Sequence, residues 1–76
     1  MFEIISKISK IEIIAKGNSI RELGRINKYY GYANWRKMKG FAHIKLSSGN
    51  FVNAELHWYE AHGKGQKEFK IKRIIP

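Results

Sequence analysis

The sequence predicts a single α+β domain in which a helical and short-strand N-terminal segment precedes one capped helix packed on an antiparallel sheet. Three observations predict this class. The 76 residues contain no linker or repeat, and the one proline is the last residue, which favours one domain. Apolar residues recur at helical spacing up to Gly31. From Trp35 onward apolar and polar residues alternate, as they do in half-buried strands.

The first ten residues fit either a short amphipathic helix or an extended segment, and we expect the helix. Its apolar side would comprise Ile4, Ile5, Ile8 and Ile11. Residues 10–15 are rich in β-branched side chains and are followed by Gly17 and Asn18. That composition predicts a short strand ending in a turn.

A capped helix is predicted over about residues 20–30, because Ser19 and Glu22 have the spacing of a capping box. Its apolar side would face the sheet and comprises Ile20, Leu23, either Ile26 or Asn27, and Tyr30. Another side carries a basic stripe of Arg21, Arg25 and Lys28. Gly31 is expected to end the helix.

Three strands of a meander are predicted at about residues 35–46, 51–60 and 67–75, because two turn-rich segments separate them. Alternation sorts their side chains onto two faces. The apolar face, which the helix is expected to cover, comprises Met38, Gly40, Ala42, Ile44, Leu46, Val52, Ala54, Leu56, Trp58, Phe69 and Ile71. The other face is expected to be open and comprises Lys37, Lys39, Phe41, His43, Lys45, Asn53, Glu55, His57, Tyr59, Glu68, Lys70 and Lys72.

The pairing of these strands follows from keeping all apolar residues on one face. A three-residue loop with Gly49 in the left-handed conformation pairs Leu46 with Asn50. The same register sets Lys39 opposite His57 and Lys37 opposite Tyr59. The third strand then brings either Lys70 or Lys72 beside His57.

Net charge is the strongest compositional signal. The chain has 15 Lys and Arg residues against 6 Asp and Glu residues, which gives a formal net charge of +9. Such an excess favours nucleic acid, an anionic membrane surface or an acidic protein as partner, although it also serves solubility alone. The absence of cysteine excludes disulfides and thiolate zinc sites. The apolar runs are too short to span a bilayer, and the N-terminus lacks signal-peptide features, so we expect a cytoplasmic site of action.

The basic face suits cleavage of a phosphodiester. Lysines would bind the phosphate while the imidazole of His57 transfers protons. Glu68 is an alternative general base, with Lys70 as electrophile. The catalytic candidates are therefore His57, Tyr59, Glu68 and Lys70. The candidates for RNA binding are Arg21, Arg25, Lys28, Trp35, Lys37, Lys39 and Lys72.

Each of these assignments has a plainer alternative. His57 also fits a half-exposed strand position with no chemical role, and Trp35 fits the edge of the core as well as a base-stacking position. The three histidines, His43, His57 and His62, lack the spacing of a metal-ligand cluster, so no metal site is expected.

Four segments of the chain resemble a known class of proteins. They are Trp35–Gly40, Ala54–Glu60, Gly63–Gly65 and Lys67–Lys72. Over residues 19–73 the chain resembles the C-terminal toxin modules of bacterial polymorphic and contact-dependent inhibition systems. The helix followed by an antiparallel sheet is also similar to the ribonuclease superfamily that groups barnase, EndoU, the tRNase colicins and RelE.

The resemblance implies a metal-independent endoribonuclease toxin that needs no cofactor. Such an enzyme cleaves RNA, here tRNA or mRNA, through attack of the ribose 2′-hydroxyl on the adjacent phosphate. It also implies delivery into the cytoplasm of a target cell and an acidic immunity protein or antitoxin that covers the basic face. Catalytic residues vary within the superfamily, so no fixed set is transferred. The alternatives are a noncatalytic RNA- or DNA-binding module that uses the same face, and a protein-interaction partner.

Overall fold

The computed structural model describes residues 1–76 and shows one helix packed on a curled antiparallel sheet of five strands. In chain order the elements are β1 (Phe2–Ile4), β2 (Ser9–Lys16), a 3₁₀ turn (Gly17–Ser19), α1 (Leu23–Tyr30), β3 (Arg36–Leu46), β4 (Phe51–Ala61) and β5 (Gly65–Ile75). The predicted α+β class is confirmed, with one helix ahead of a three-stranded meander. The three long strands begin and end within two residues of their predicted limits.

The N-terminal segment is extended, so the predicted helix there is wrong. Both β1 and β2 pair antiparallel with β3, with Ile4 opposite Ile44 and Ser9 opposite Phe41. They form one interrupted edge strand along the side of β3 that β4 leaves free. Without them the backbone N–H and C=O groups on that side of β3 would lack partners. This pairing outweighs the weak helical periodicity of the isolated segment.

The predicted register is confirmed. Lys39 lies opposite His57 and Lys37 lies opposite Tyr59, while Lys70 is the lysine of β5 that pairs with His57. In the connecting loop the backbone N–H of Leu46 donates to the carbonyl oxygen of Asn50 at 2.8 Å. Gly49 has φ +95°, which is the left-handed conformation that the loop requires.

Two apolar clusters lie on opposite faces of the sheet. The first has the predicted composition and contains Met38, Ala42, Ile44, Ala54, Leu56 and Trp58. The helix does not cover it, contrary to expectation. Instead the cluster is closed by side chains from the N-terminal segment and from the curled sheet, namely Phe2, Ile4, Ile8, Leu46, Val52, Phe69 and Ile71.

The helix lies on the face that was expected to be open. Its Ile26 is fully buried in the second cluster, which also contains Ile20, Trp35, Tyr59 and Ala61. The N-terminal segment already occupies the first face, so the apolar side of the helix is buried against the other. The open surface is consequently narrower than the alternation pattern alone indicates.

The C-terminal end of the helix matches the prediction, whereas the N-terminal end does not. Gly31 follows the last helical residue with φ +96° and donates its N–H to Asn27 at 2.9 Å, as expected. The predicted capping box is absent, because the Ser19 hydroxyl is engaged by Lys16, accepting from its N–H at 3.0 Å and donating to its carbonyl at 2.6 Å. The helix therefore begins only at Leu23.

Gly40 provides a test of how the N-terminal segment packs. A Cβ at this position would collide with Ile8 and would lie 3.1 Å from the Trp58 ring and 3.2 Å from the Ser9 carbonyl oxygen. We expect Gly40→Ala to lower the free energy of unfolding by about 1–3 kcal/mol through overpacking. Urea denaturation followed by circular dichroism measures the change.

Gly24→Ala is the matched control, because Gly24 lies in the helix with open space around its Cα. This change should raise the free energy of unfolding by up to about 1 kcal/mol, since alanine is the better helix former. Equal stability of the two variants would contradict the packing of Ile8 over Gly40.

Candidate functional site

Most of the positive charge that is not engaged in ion pairs resides on lysine side chains. Five of the six glutamates form ion pairs, and these pairs engage three of the four arginines, Arg25, Arg36 and Arg73. Only one of the eleven lysines is so engaged, Lys39, whose Nζ lies 3.2 Å from Glu12. The arginines thus serve mainly to hold the structure together, and an anionic ligand would meet mainly ammonium groups.

His57 lies half-buried on β4 and is held by a carboxylate. Its Nε2 is 2.8 Å from Oε2 of Glu55, and Arg73 donates its Nε–H to the other oxygen of Glu55 at 2.8 Å. Glu55 is only 7% exposed. The hydrogen bond from His57, together with Arg73, holds the pKa of Glu55 below its ordinary value, so this carboxylate is ionised at neutral pH.

The ionised Glu55 determines the tautomer of the neutral His57 ring. A carboxylate accepts hydrogen bonds and cannot donate them, so the ring proton of neutral His57 resides on Nε2. Nδ1 then keeps its lone pair and makes no other hydrogen bond within the protein. The pair has the arrangement of a proton-transferring histidine oriented by an acid.

A shallow cavity of about 170 Å³ lies beside this pair. It brings together all four catalytic candidates, His57, Tyr59, Glu68 and Lys70, with the lysines Lys37 and Lys72. Glu22, Trp58 and Ile71 complete its lining. Lys39 flanks His57 from β3, while Lys70 flanks it from β5. Side chains directly opposite one another in a sheet have Cβ atoms about 5 Å apart, so the ammonium group of Lys70, which has no acidic partner, can reach a phosphate near His57, whereas that of Lys39 is engaged by Glu12.

A second polar network joins the helix to the sheet below this cavity. The Arg25 guanidinium donates two hydrogen bonds to Glu68, at 2.8 and 2.9 Å, and a third to Glu22 at 3.0 Å. The Tyr59 hydroxyl donates to Glu22 at 2.9 Å, and the Tyr30 hydroxyl donates to Glu68 at 2.7 Å. Every oxygen of the two carboxylates therefore has a partner within the protein.

This network limits what Glu68 and Tyr59 can do chemically. The hydrogen bonds from Arg25 lower the pKa of Glu68 to about 2, which makes it a weak general base at neutral pH. Burial, followed by the hydrogen bond to Glu22, raises the pKa of Tyr59 to about 12, which makes it a weak proton donor. Both residues line the cavity, but their hydrogen bonds are made to Glu22, Arg25 and Tyr30 within the helix–sheet contact.

A bulge in β5 turns Glu68 toward the helix. His57 pairs with Lys70 and Tyr59 with Lys67, so two residues of β5 lie opposite one residue of β4. Glu68 has φ +60°, which is unfavourable for a residue other than glycine. Such a conformation persists where its surroundings hold it, and here the bidentate contact with Arg25 does so.

The remaining candidates for RNA binding lie in different environments. Trp35 is fully buried and donates its indole N–H to the Gly31 carbonyl at 3.0 Å, so the structure makes it a packing residue and leaves no ring face for a base. Lys28 is exposed on the helix, whereas Arg21 precedes the first helical residue. The predicted basic stripe of Arg21, Arg25 and Lys28 is therefore interrupted.

Two residues of the site were missed by sequence reasoning. Glu55 lies two positions from His57 on one strand, and this spacing could have indicated the pair, because alternate residues share a face. Arg73 gave no such signal. Strict alternation assigns it to the apolar face with Ile71, but an irregularity between Glu55 and Leu56 shifts the register and brings Arg73 opposite Glu55.

Together the fold and the site define a small basic α+β protein with a carboxylate-held histidine in a lysine-lined cavity. Comparisons of the chain with protein-family models, with curated proteins and with solved structures each find no match. No group of three or more side chains in the structure has an arrangement that would hold a metal ion. None of its helices has the length and apolar character needed to cross a membrane.

Acid stability tests the network around Glu68. Its folded-state pKa of about 2 lies below the ordinary value of 4.5, so its stabilising effect is present above pH 4.5 and is lost as pH falls toward 2. We expect the free energy of unfolding to fall across this range, and to fall less steeply in Glu68→Gln. Urea denaturation at a series of pH values measures both slopes.

The slope should not vanish in Glu68→Gln, because the pKa values of Glu22, Glu55 and Glu60 are also lowered. Glu12→Gln is the matched control, since the Glu12 side chain is 63% exposed in its pair with Lys39. A Glu12→Gln slope as shallow as that of Glu68→Gln would refute the assignment.

Proposed function

We propose that the protein is a metal-independent endoribonuclease toxin in which His57 transfers protons. The observation that carries this proposal is the hydrogen bond of 2.8 Å that the ionised Glu55 makes with His57, a histidine that lines a cavity together with three lysines. The toxin assignment and an acidic immunity protein or antitoxin as partner rest on the motif resemblance of residues 19–73. The cytoplasmic site of action rests on the features of the N-terminal residues.

The cleavage step fits the free nitrogen of His57. The 2′-hydroxyl oxygen of the ribose attacks the adjacent phosphorus while Nδ1 of His57 takes the hydroxyl proton. The bond from phosphorus to the 5′-oxygen breaks, and the ammonium of Lys70 donates a proton to that oxygen. The products are a 2′,3′-cyclic phosphate and a 5′-hydroxyl. Exchange of protons with water then returns both side chains to their starting states.

The lysines supply charge where the reaction needs it. Lys37, Lys70 and Lys72 line the cavity and have no acidic partner, so their ammonium groups are free to contact phosphate oxygens. Negative charge builds on these oxygens as phosphorus becomes five-coordinate, and fixed positive charge stabilises that state. Glu68 and Tyr59 contribute by fixing the cavity wall on the helix side.

Cleavage of RNA in the presence of EDTA tests the proposal. Purified protein is incubated with total bacterial RNA, and the products are separated on a denaturing gel. We expect wild type to cleave and His57→Ala to lose cleavage, typically by a factor of about 10²–10⁴ for loss of acid–base catalysis. His62→Ala is the matched control, because His62 is exposed in the loop between β4 and β5 and should cleave like wild type.

The same experiment separates the proposal from a noncatalytic RNA-binding module. The unpaired lysines favour RNA binding under either function, so binding alone decides nothing. Intact RNA with wild-type protein would leave the binding module as the function. Cleavage by wild type and His57→Ala alike would exclude His57 as the proton-transferring group.

Salt dependence tests the phosphate contacts. Each lysine that neutralises a phosphate adds about 0.7–0.9 to the slope of log affinity against log salt concentration. We expect Lys70→Gln to weaken binding of a single-stranded DNA oligonucleotide, which lacks the 2′-hydroxyl needed for cleavage, and to reduce this slope by about that amount, as measured by fluorescence anisotropy.

Lys16→Gln is the matched control for this measurement. Lys16 lies opposite Arg36 at the end of β2, away from the face of His57, and its loss should leave the slope nearly unchanged. The same slope for Lys70→Gln and wild type would exclude Lys70 as a phosphate contact.

A further inference from the structure

A second cavity, of about 440 Å³, lies on the same face of the sheet as His57 but farther along β3 and β4. Its lining includes Ser6, Lys7, Lys10, His43 and Asn53. The cavity opens where the edge strand is interrupted between β1 and β2. There the Ser6 hydroxyl oxygen accepts the backbone N–H of His43 at 2.9 Å, in place of a strand partner.

His43 lines this cavity, and its ring stacks on that of Phe51 at the exposed surface. The rings of His43 and Phe51 have centroids 6.2 Å apart and are inclined by only 13°. Lys45 holds its Nζ 5.8 Å from the centre of the Phe51 ring, and Asn53 fixes the His43 ring through a contact of 2.8 Å with Nδ1. We call His43 and Phe51 the aromatic platform.

Phe51 is exposed and does not contribute to the packing of the apolar core. Its side chain is 58% exposed and belongs to neither apolar cluster. An exposed, oriented aromatic ring beside lysines is the arrangement on which unpaired bases stack, with the phosphates held by the ammonium groups. Lys7, Lys10 and Lys45 supply such groups around the platform, and none of them has an acidic partner.

The platform lies within reach of a strand bound at His57. Lys39 faces His57, and His43 follows it by four residues on β3, a separation of roughly 13 Å at the usual rise of a strand. A few nucleotides of an extended chain cover this distance. Most residues around the second cavity are exposed, so it is an open surface suited to a polymer rather than an enclosed pocket for a free nucleotide.

We propose that the aromatic platform and the second cavity bind bases of single-stranded nucleic acid, a few nucleotides from the phosphate at His57. This inference rests on the proposed function for the identity of the strand as RNA, and it specifies that RNA as unpaired. The bases of a duplex are already stacked and paired, so their faces are closed to the platform.

Binding of a single-stranded DNA oligonucleotide tests the platform independently of cleavage. DNA lacks the 2′-hydroxyl that the proposed reaction requires, so the probe binds without being cut. We expect Phe51→Leu to weaken binding by roughly tenfold, with little effect on a duplex of the same sequence. Tyr32→Leu is the matched control, because Tyr32 is 87% exposed and follows the helix.

The outcomes distinguish this inference from the proposed function. Weaker single-strand binding by Phe51→Leu alone supports the platform, even if wild type leaves RNA intact. Unchanged binding by Phe51→Leu overturns it, even if His57 proves necessary for cleavage. An equal loss for single strand and duplex also overturns it, because phosphate contacts and not base stacking would then be affected.

Discussion

The bidentate ion pair between Arg25 and Glu68 determines how the only helix sits on the sheet. It joins α1 to β5 by two charge-assisted hydrogen bonds, which are stronger than neutral ones and fix orientation as well as distance. It also sustains the unfavourable backbone conformation of Glu68 and hence the bulge of β5. Because the bulge sets which lysine lies opposite His57, the geometry of the cavity depends on an interaction that does not itself face a ligand.

Much of the fold followed from the sequence because its signals are local and strong. Long alternating strands and a loop with Gly49 restrict the pairing of β3 and β4 to one register. Gly31 ends the helix at a position whose positive φ favours glycine. The N-terminal segment was different. Its apolar spacing fits both a helix and a strand, and what decides between them is the unpaired edge of β3, which lies some 35 residues farther along the chain. The face on which the helix packs depends on the same pairing.

The position of the candidate site was predictable from the sequence, but the hydrogen-bond partners of its residues were not. Parity placed His57 with Tyr59 and the lysines, since that argument needs only regular strands. The parity argument failed where β5 is irregular. It therefore did not predict the hydrogen bond from Arg73 to Glu55 or the bidentate ion pair between Glu68 and Arg25. Bulges depend on tertiary contacts such as the Arg25 ion pair, so no fixed pattern in a single sequence predicts them. Sequence reasoning therefore located the surface better than it assigned roles to individual residues.

Most arginines of the protein form ion pairs and most lysines do not, and this difference constrains the kind of ligand that the surface can recognise. Guanidinium groups make planar, bidentate contacts that select particular ligands, whereas ammonium groups act as flexible point charges. Arg25, Arg36 and Arg73 are engaged within the protein, so the exposed surface is rich in lysine and poor in free guanidinium. Contacts from ammonium groups to the phosphates of a nucleic acid carry no information about base sequence. Any selectivity must come from groups other than the lysines, and on this face the exposed rings and the fixed imidazole of His57 are the groups that meet that condition.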